Sequence, residues 1–325
     1  MGRIGKVVFR ILSEREEFKI VGINDLMDIG TLVHLIRYDS THGRFGGQLQ
    51  AGEGQIIVNG EAVKVSCCAD PDHIPWNNWE ADIVLESSGR FTTRPLLEQH
   101  LHAGAKKVIL SCPSKGPLDR TVIIGVNDHE LSPQDRIVSN ASCTTNCLAP
   151  VLMLLEKHFG IDRAFMNTVH PFTNNQVILD APHKDLRRAR TAGVNIIPTT
   201  STAIEALTHV MPELKDRFDG LAVRVPVHDG SLIEINAILK EKTTVEALNR
   251  MLKSASETSL KNILAYTDDP IVSVDIIGDP HSTIVDGLST KVLGGNFVQL
   301  IVWYDNETGY SNRIVDLMKK MSELG

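Results

Sequence analysis

The stretch Ser139-Asn140-Ala141-Ser142-Cys143-Thr144-Thr145-Asn146-Cys147 decides how this chain is read. Ile137 and Val138 end a β-rich run just before it, and Leu148 to Leu155 open an apolar run with helical character just after it. A strand, a turn and a helix in that order place Cys143 at a helix N-terminus, where unsatisfied amide N–H groups favour negative charge. Such a position is expected to lower the thiol pKa and supply thiolate near neutral pH. Ser142 and Thr144 flank the thiol with hydroxyls suited to an oxyanion. A lone cysteine is more often a small buried hydrophobe than a nucleophile. Cys143 and Cys147 stand four apart, which is neither a zinc nor a thioredoxin spacing.

Upstream of this stretch the chain alternates strands and helices. Ile4, Val7, Val8, Ile11 and Leu12 follow helical spacing, and Phe18 to Ile23 reads as a buried strand. Thr31 to Tyr38 and Arg94 to Ala103 read as helices. Ile83 to Leu85, Val108 to Leu110, Val122 to Ile124 and Ile137–Val138 read as strands. Asn59-Gly60, between Ile56–Val58 and Ala62–Val65, is a two-residue hairpin signal. The alternation predicts an α/β fold with a doubly wound parallel sheet. Gly2 and Gly5 match the second and third glycines of a dinucleotide-binding turn, and Asp25 lies 20 residues beyond Gly5, where an acidic residue contacts ribose. Taken alone, Asp25 reads sooner as a turn residue after a strand. The first glycine of the motif and its strand do not precede Gly2 in this sequence. That strand is central in such a sheet, so the natural protein is expected to start several residues earlier. The sheet should then show a gap or an abnormal neighbour between Phe18–Ile23 and the strand near Ile83.

Downstream the pattern changes. Arg163 to His170 reads as a strand, and Ser231 to Leu239 alternates as a half-buried antiparallel strand. Thr244 to Ser256 reads as a helix with threonine as N-cap. Ile271 to Ile277 and Asn296 to Tyr304 read as strands, and Tyr310 to Met321 as a closing helix. The second part is therefore an α+β domain with a mostly antiparallel sheet. The expected division is 1–142 with 306–325 as a dinucleotide-binding domain and 143–305 as a catalytic domain. His170 follows Cys143 by 27 residues, and a Cys–His pair is what thiol acyl chemistry needs.

The 325 residues suffice for two large cores, and 42% hydrophobic with 22% charged residues is an ordinary globular composition. A net charge of −7 and a pI near 5.9 give no electrostatic footprint for nucleic acid. No apolar run is long enough to span a bilayer, and no secretory pattern opens the chain. Five cysteines at irregular spacing argue for a reduced, cytoplasmic protein, and no His/Cys/Asp group has metal-ligand spacing.

Nearly the whole chain resembles NAD-dependent phosphorylating glyceraldehyde-3-phosphate dehydrogenases. The matching stretches are SNASCTTNC, VGINDLMDIGTLVHLIRYDSTHG at Val21–Gly43, PHKDLRRAR with NIIPT after it, AVRVP, and WYDNE with GYSNR. The resemblance implies that Cys143 attacks the aldehyde, that His170 handles the proton, and that inorganic phosphate cleaves the resulting thioester. It implies Thr173 and Arg224 as ligands of the substrate phosphate. Ser142, Thr144 and Ser201, with Thr202 beside them, fall at the attacking-phosphate site. Arg3, Ile4, Asp25, Ser111, Asn306 and Tyr310 fall at NAD, Asn306 orienting the nicotinamide carboxamide. It also implies a homotetramer. This chain departs from the family pattern at Asn175, at Thr202 where glycine is usual, at Thr308, and at Ser88 and Arg90. Thr202 is expected to add bulk beside the attacking phosphate. The first alternative is the related erythrose-4-phosphate dehydrogenase, to which Asp279-Pro280-His281-Ser282 and Ile284-Val285-Asp286-Gly287 are similar. The second is a non-catalytic binding or assembly subunit of the same fold.

Overall fold

A computed structural model describes residues 1–324. The chain divides into two compact units. One comprises 1–122, 128–141 and 311–325, the other 123–127 and 142–310.

In the first unit α1 (Arg3–Leu12) is followed by β1 (Gly22–Asn24), α2 (Ile29–Arg37), the short ribbon β2 (Tyr38–Asp39) and β3 (Gly43–Arg44), β4 (Leu49–Gly52), β5 (Gln55–Val58) and β6 (Glu61–Ser66). Then come β7 (Ile83–Glu86), α3 (Arg94–His102), β8 (Lys107–Leu110), β9 (Arg120–Thr121) and β10 (Ile137–Ser139). Two sheets result, ordered β1-β6-β5-β4 and β7-β8-β10-β9. The second is parallel throughout, as is the β1–β6 pair. β8 is buried at all four positions, as a central parallel strand must be. The β5–β6 hairpin turns on Asn59 and Gly60, both at positive φ (50° and 91°), which is the geometry that an Asn-Gly pair accommodates.

The expected gap is present: among the described residues β1 pairs with β6 alone, and β7 with β8 alone. It also explains a shortened strand. Of the expected Phe18–Ile23 strand only Gly22 and Ile23 join a ladder, which runs on to Asn24, because among the described residues one edge has no neighbour to order residues 18–21. The strand expected at Val122–Ile124 lies instead at Arg120–Thr121, since the Ile123 N–H is taken by the Asn127 side chain at 2.8 Å.

The second unit opens with α4 (Cys143–Phe159), β11 (Ile161–Pro171), β12 (Ile197–Thr199) and α5 (Ala203–Val210). β13 (Phe218–Val225), β14 (Ser231–Leu239), α6 (Val245–Glu257), β15 (Leu264–Thr267), β16 (Thr283–Leu293) and β17 (Phe297–Tyr304) follow. α7 (Thr308–Glu323) starts here and continues into the first unit. Seven strands form one sheet, ordered β12-β13-β11-β14-β17-β16-β15, mostly antiparallel with parallel pairs β11–β13 and β15–β16. β14 alternates buried and half-buried residues along its whole length, with Ile233, Ile235, Ala237 and Leu239 inward. Thr244 caps α6 by accepting the Ala247 N–H at 3.2 Å. The strand expected at Ile271–Ile277 is instead a loop with a 3₁₀ turn at Ser273–Ile276. The Asp275 carboxylate accepts the Val272 N–H at 2.8 Å and curls the segment. Among the described residues no helix is long and apolar enough to cross a membrane.

Candidate active site

Cys143 is the first residue of α4. Ala141, two residues before it, holds a left-handed φ of 52°, an uncommon conformation for a residue with a Cβ and one found where a turn is tightly fixed. Ser142 is the N-cap: its Oγ accepts the Thr145 N–H at 3.1 Å and meets Thr145 Oγ1 at 2.7 Å. The helix therefore starts at the thiol, with its amide dipoles aimed there.

His170 lies near the carboxyl end of β11, and the parallel register sets it directly opposite Arg224 of β13. His170 Nε2 is 3.5 Å from Cys143 Sγ. Arg224 Nη1 is 2.5 Å from His170 Nδ1 and 3.0 Å from the Pro171 carbonyl oxygen, which itself lies 2.8 Å from Nδ1. Arg224 can only donate, so its contact is satisfied with the His170 proton on Nε2, where Nδ1 accepts from Arg224 and Nε2–H faces the sulfur. The other tautomer, with Nδ1–H donating to Pro171 and Nε2 open to the thiol proton, requires the guanidinium to draw back from Nδ1. Arg224 keeps its Nε without a partner among the described residues, so the guanidinium retains donor capacity for an anion.

Burial, and after it the Arg224 cation, push His170 down to about 3, so the imidazole is neutral at working pH. Cys143 is only half-buried as a residue, yet its sulfur is ringed by protein, and that desolvation pushes the thiol up. Arg224 and the Thr144 hydroxyl and amide pull the other way. The expectation of a lowered thiol pKa is thus corrected for the resting chain: loss of water outweighs these neighbours. Cys147 is fully buried, burial pushes its thiol far up, and it donates to Thr283 Oγ1 at 3.3 Å. It is a core residue.

Thr144 is buried, and its hydroxyl meets the Tyr304 hydroxyl at 3.0 Å. Tyr304 also contacts Thr168 Oγ1 at 3.1 Å, and its ring stands edge-on to His170 at 6.0 Å. Tyr304 was not singled out from the sequence. Its inward place at the end of an alternating strand was the available signal. Thr173 follows β11 and contacts Gln176 Oε1 through both its amide, at 3.0 Å, and its hydroxyl, at 3.2 Å. Ser201 and Thr202 stand at the start of α5, which packs on α4. Ser201 Oγ accepts the Ala203 N–H at 3.3 Å, and Thr202 is exposed.

Asn306 is buried, and its Oδ1 accepts from Ser231 Oγ at 2.7 Å, which leaves the amide NH₂ as the outward donor. Asp305 beside it accepts the Glu307 and Thr308 N–H groups at 2.8 and 2.7 Å and so starts α7. Burial, together with Asp305 and Glu307, pushes Asp229 up to about 9, so this side chain is an uncharged acid at neutral pH. No sequence signal marked it. Tyr310, the remaining expected cofactor residue of this unit, is buried in the first turns of α7.

In the first unit, α1 starts at Gly2, which supplies no side-chain cap, so the first amides of the helix suit an anion such as a pyrophosphate. Ile4 lies in that turn. The Arg3 guanidinium is committed to Asp39 as a two-pronged ion pair, and what Arg3 offers a cofactor is its main chain. Asp25 follows β1 and accepts the Met27 N–H at 2.9 Å and the Met1 amino group. Burial opposes its charge, but the amino group and these amides outweigh it and hold the carboxyl below its usual range. Ser111 follows β8, its N–H donating to the Glu86 carbonyl at 3.0 Å. An open helix N-terminus with a carboxylate 20 residues past Gly5 fits a dinucleotide.

Residues 1–94 match the family model of the glyceraldehyde 3-phosphate dehydrogenase NAD binding domain, and residues 142–306 match that of the C-terminal domain. The chain is 48% identical over 325 residues to a glyceraldehyde-3-phosphate dehydrogenase of Geobacillus stearothermophilus, covering 100% of this chain and 97% of that protein. It is 49% identical over 327 residues to the one from Borreliella burgdorferi, covering 98% and 97%. It is also 49% identical over 325 residues to the one from Thermotoga maritima, covering 99% and 97%.

Proposed function

This chain belongs to the glyceraldehyde-3-phosphate dehydrogenase family, and we propose that it oxidises and phosphorylates glyceraldehyde 3-phosphate through a thioester on Cys143. The observation that carries the reading is the 3.5 Å approach of His170 Nε2 to Cys143 Sγ at the start of α4, with Arg224 behind the imidazole. The enzyme is an NAD-dependent oxidoreductase, and its substrates are glyceraldehyde 3-phosphate and inorganic phosphate. The matches to relatives of this activity favour it over erythrose 4-phosphate oxidation and over a non-catalytic role.

In the proposed reaction the Cys143 proton passes to His170 Nε2, and the sulfur bonds to the aldehyde carbon. The carbonyl oxygen takes the proton back and becomes a hydroxyl. His170 then removes that hydroxyl proton as the carbon is oxidised to a thioester. Bound NAD would supply the hydride acceptor, and Asn306 would hold its carboxamide. Phosphate attacks the thioester carbon, the C–S bond breaks, and the acyl phosphate leaves Cys143 as thiolate. Arg224 and Thr173 hold the substrate phosphate. Ser142, Thr144 and Ser201 flank the attacking phosphate, with Thr202 at its edge. The Ser142 and Thr144 hydroxyls already have partners within the unit, Thr145 and Tyr304.

For the cofactor, the proposed ligands are Arg3, Ile4, Asp25, Ser111, Asn306 and Tyr310. Asp25 repels a 2′-phosphate and accepts from ribose hydroxyls. We expect kcat/KM to be higher for NAD than for NADP, and Asp25→Ala to narrow the ratio. An NADP value equal to or above that for NAD in the unmodified enzyme contradicts this assignment.

A homotetramer fits the surface of the second unit. Ile178, Leu179, Leu186, Val194 and Ile196 are 72–84% exposed on one loop region, and Phe165 lies 61% exposed on the sheet. Apolar side chains concentrated in this way mark a contact surface. The cysteines are all free, which suits a reduced, cytoplasmic setting.

A further inference from the structure

In the first unit α3 turns His100 inward, between Trp76 and Glu86, and all three side chains are buried. The Trp76 Nε1–H can only donate, and it reaches His100 Nδ1 at 3.1 Å. The imidazole proton therefore sits on Nε2, which donates to Glu86 Oε2 at 3.2 Å. Glu86 ends β7. Its other oxygen, Oε1, accepts the Ser88 N–H at 2.6 Å, and its main-chain carbonyl accepts the Ser111 N–H at 3.0 Å. Ser88 Oγ accepts the Arg90 N–H at 3.1 Å, and Gly89 between them holds a φ of 71°. Phe91, on the far side of this turn, stands edge-on to the imidazole with ring centres 6.3 Å apart. His100 thus touches both ends of the turn 87–90. The turn borders the start of α1, since a Cβ on Gly5 would stand 2.8 Å from Ser87 Oγ.

We infer that His100 is a positioning residue for NAD: acting through Glu86, it fixes the turn after β7 beside the N-terminus of α1, where the pyrophosphate fits. An apolar side chain at position 100 would fill the same space in the core. Burying an indole N–H, an imidazole and a carboxyl there is costly unless every group is met. Here each is met, and the chain of bonds leaves the core and ends on the Ser88 amide, in the exposed turn. The inference rests on NAD binding by this unit and is independent of the role of Cys143.

The test joins nitrogen NMR of the histidine-labelled full chain with calorimetric titration of NAD. Without NAD, the histidine signal that His100→Phe removes should belong to the Nε2–H tautomer. Trp76→Phe frees Nδ1 and should let the Nδ1–H tautomer appear, with a weaker hold on NAD. His100→Phe keeps the ring volume but strands Glu86 Oε2 and the Trp76 N–H, and should weaken NAD binding by about tenfold or more. His100→Gln returns an N–H toward Glu86 and should recover most of that loss. Leu97→Ala, fully buried on the same helix, should lower the melting temperature and leave NAD affinity unchanged. In turnover, KM for NAD should follow these affinities while kcat at saturating NAD and KM for phosphate hold. An Nδ1–H tautomer in the unaltered chain, unchanged NAD affinity in His100→Phe or in Trp76→Phe, no recovery in His100→Gln, or an equal loss in Leu97→Ala would overturn the inference. An unaltered chain that binds no NAD would overturn the dinucleotide reading itself, and the inference with it.

Discussion

Cys143→Ser is expected to lower phosphorylating dehydrogenase activity by about 10⁴- to 10⁶-fold, the range in which loss of a covalent nucleophile is felt. A serine hydroxyl at the same helix N-terminus keeps the shape of the site and loses the polarisable, more nucleophilic sulfur. Cys147→Ala is the matched control. Its thiol sits in the core with its proton on Thr283, and shortening it should cost about 1 kcal/mol of stability or less while leaving turnover nearly intact. Alkylation separates the thiols further. Cys67 is exposed and Cys68 partly so, and both should react with iodoacetamide regardless of substrate. Cys112 is pushed up to about 11, first by burial and then by Glu86, and should react slowly. Only modification of Cys143 should be prevented by glyceraldehyde 3-phosphate and track the loss of activity. Equal turnover in wild type and Cys143→Ser would refute the assignment.

His170→Asn is expected to slow acylation by about 10²- to 10⁴-fold, the usual scale for a general base. Asparagine retains a polar side chain near Cys143 but cannot carry the proton in both directions. The electrostatics add a second readout. Burial and Arg224 hold the imidazole neutral, so the free enzyme's His170 resonances should show no protonation between about pH 5 and 8. Arg224→Gln removes the cation from Nδ1 and should move that titration upward. It should also raise KM for the phosphorylated aldehyde, because the donors expected to hold its phosphate go with it. An ordinary His170 titration in the wild type would contradict the electrostatic reading, and unchanged acylation in His170→Asn the catalytic one.

The legible parts of this chain were those encoded within a few residues. The turn before Cys143, the Asn59-Gly60 hairpin and the Thr244 cap each carry their own hydrogen-bond chemistry, and the structure forms all three. The open edges of β1 and β7 match the expectation drawn from the Gly2–Gly5 turn. Ile271–Ile277 misled because its β-branched composition suits a strand, whereas the bond from Val272 to Asp275 makes a turn. β16 was passed over because Gly287, Ser289 and Thr290 interrupt its apolar pattern at the irregularity between Asp286 and Lys291. Tyr304 and Asp229 were hidden for a different reason. Their environments come from residues far off in sequence: Thr144 and Thr168 for one, Asp305 and Glu307 for the other. The thiol expectation failed in the same way, since burial of the sulfur is a tertiary property.

The most direct measurement is intact-protein and peptide mass spectrometry after mixing the enzyme with NAD and glyceraldehyde 3-phosphate without inorganic phosphate, followed by an acid quench. The expected result is a 3-phosphoglyceroyl adduct on the peptide that contains Cys143, removed when phosphate is added before the quench. Stoichiometric NADH formation with no adduct on Cys143 would contradict the thioester.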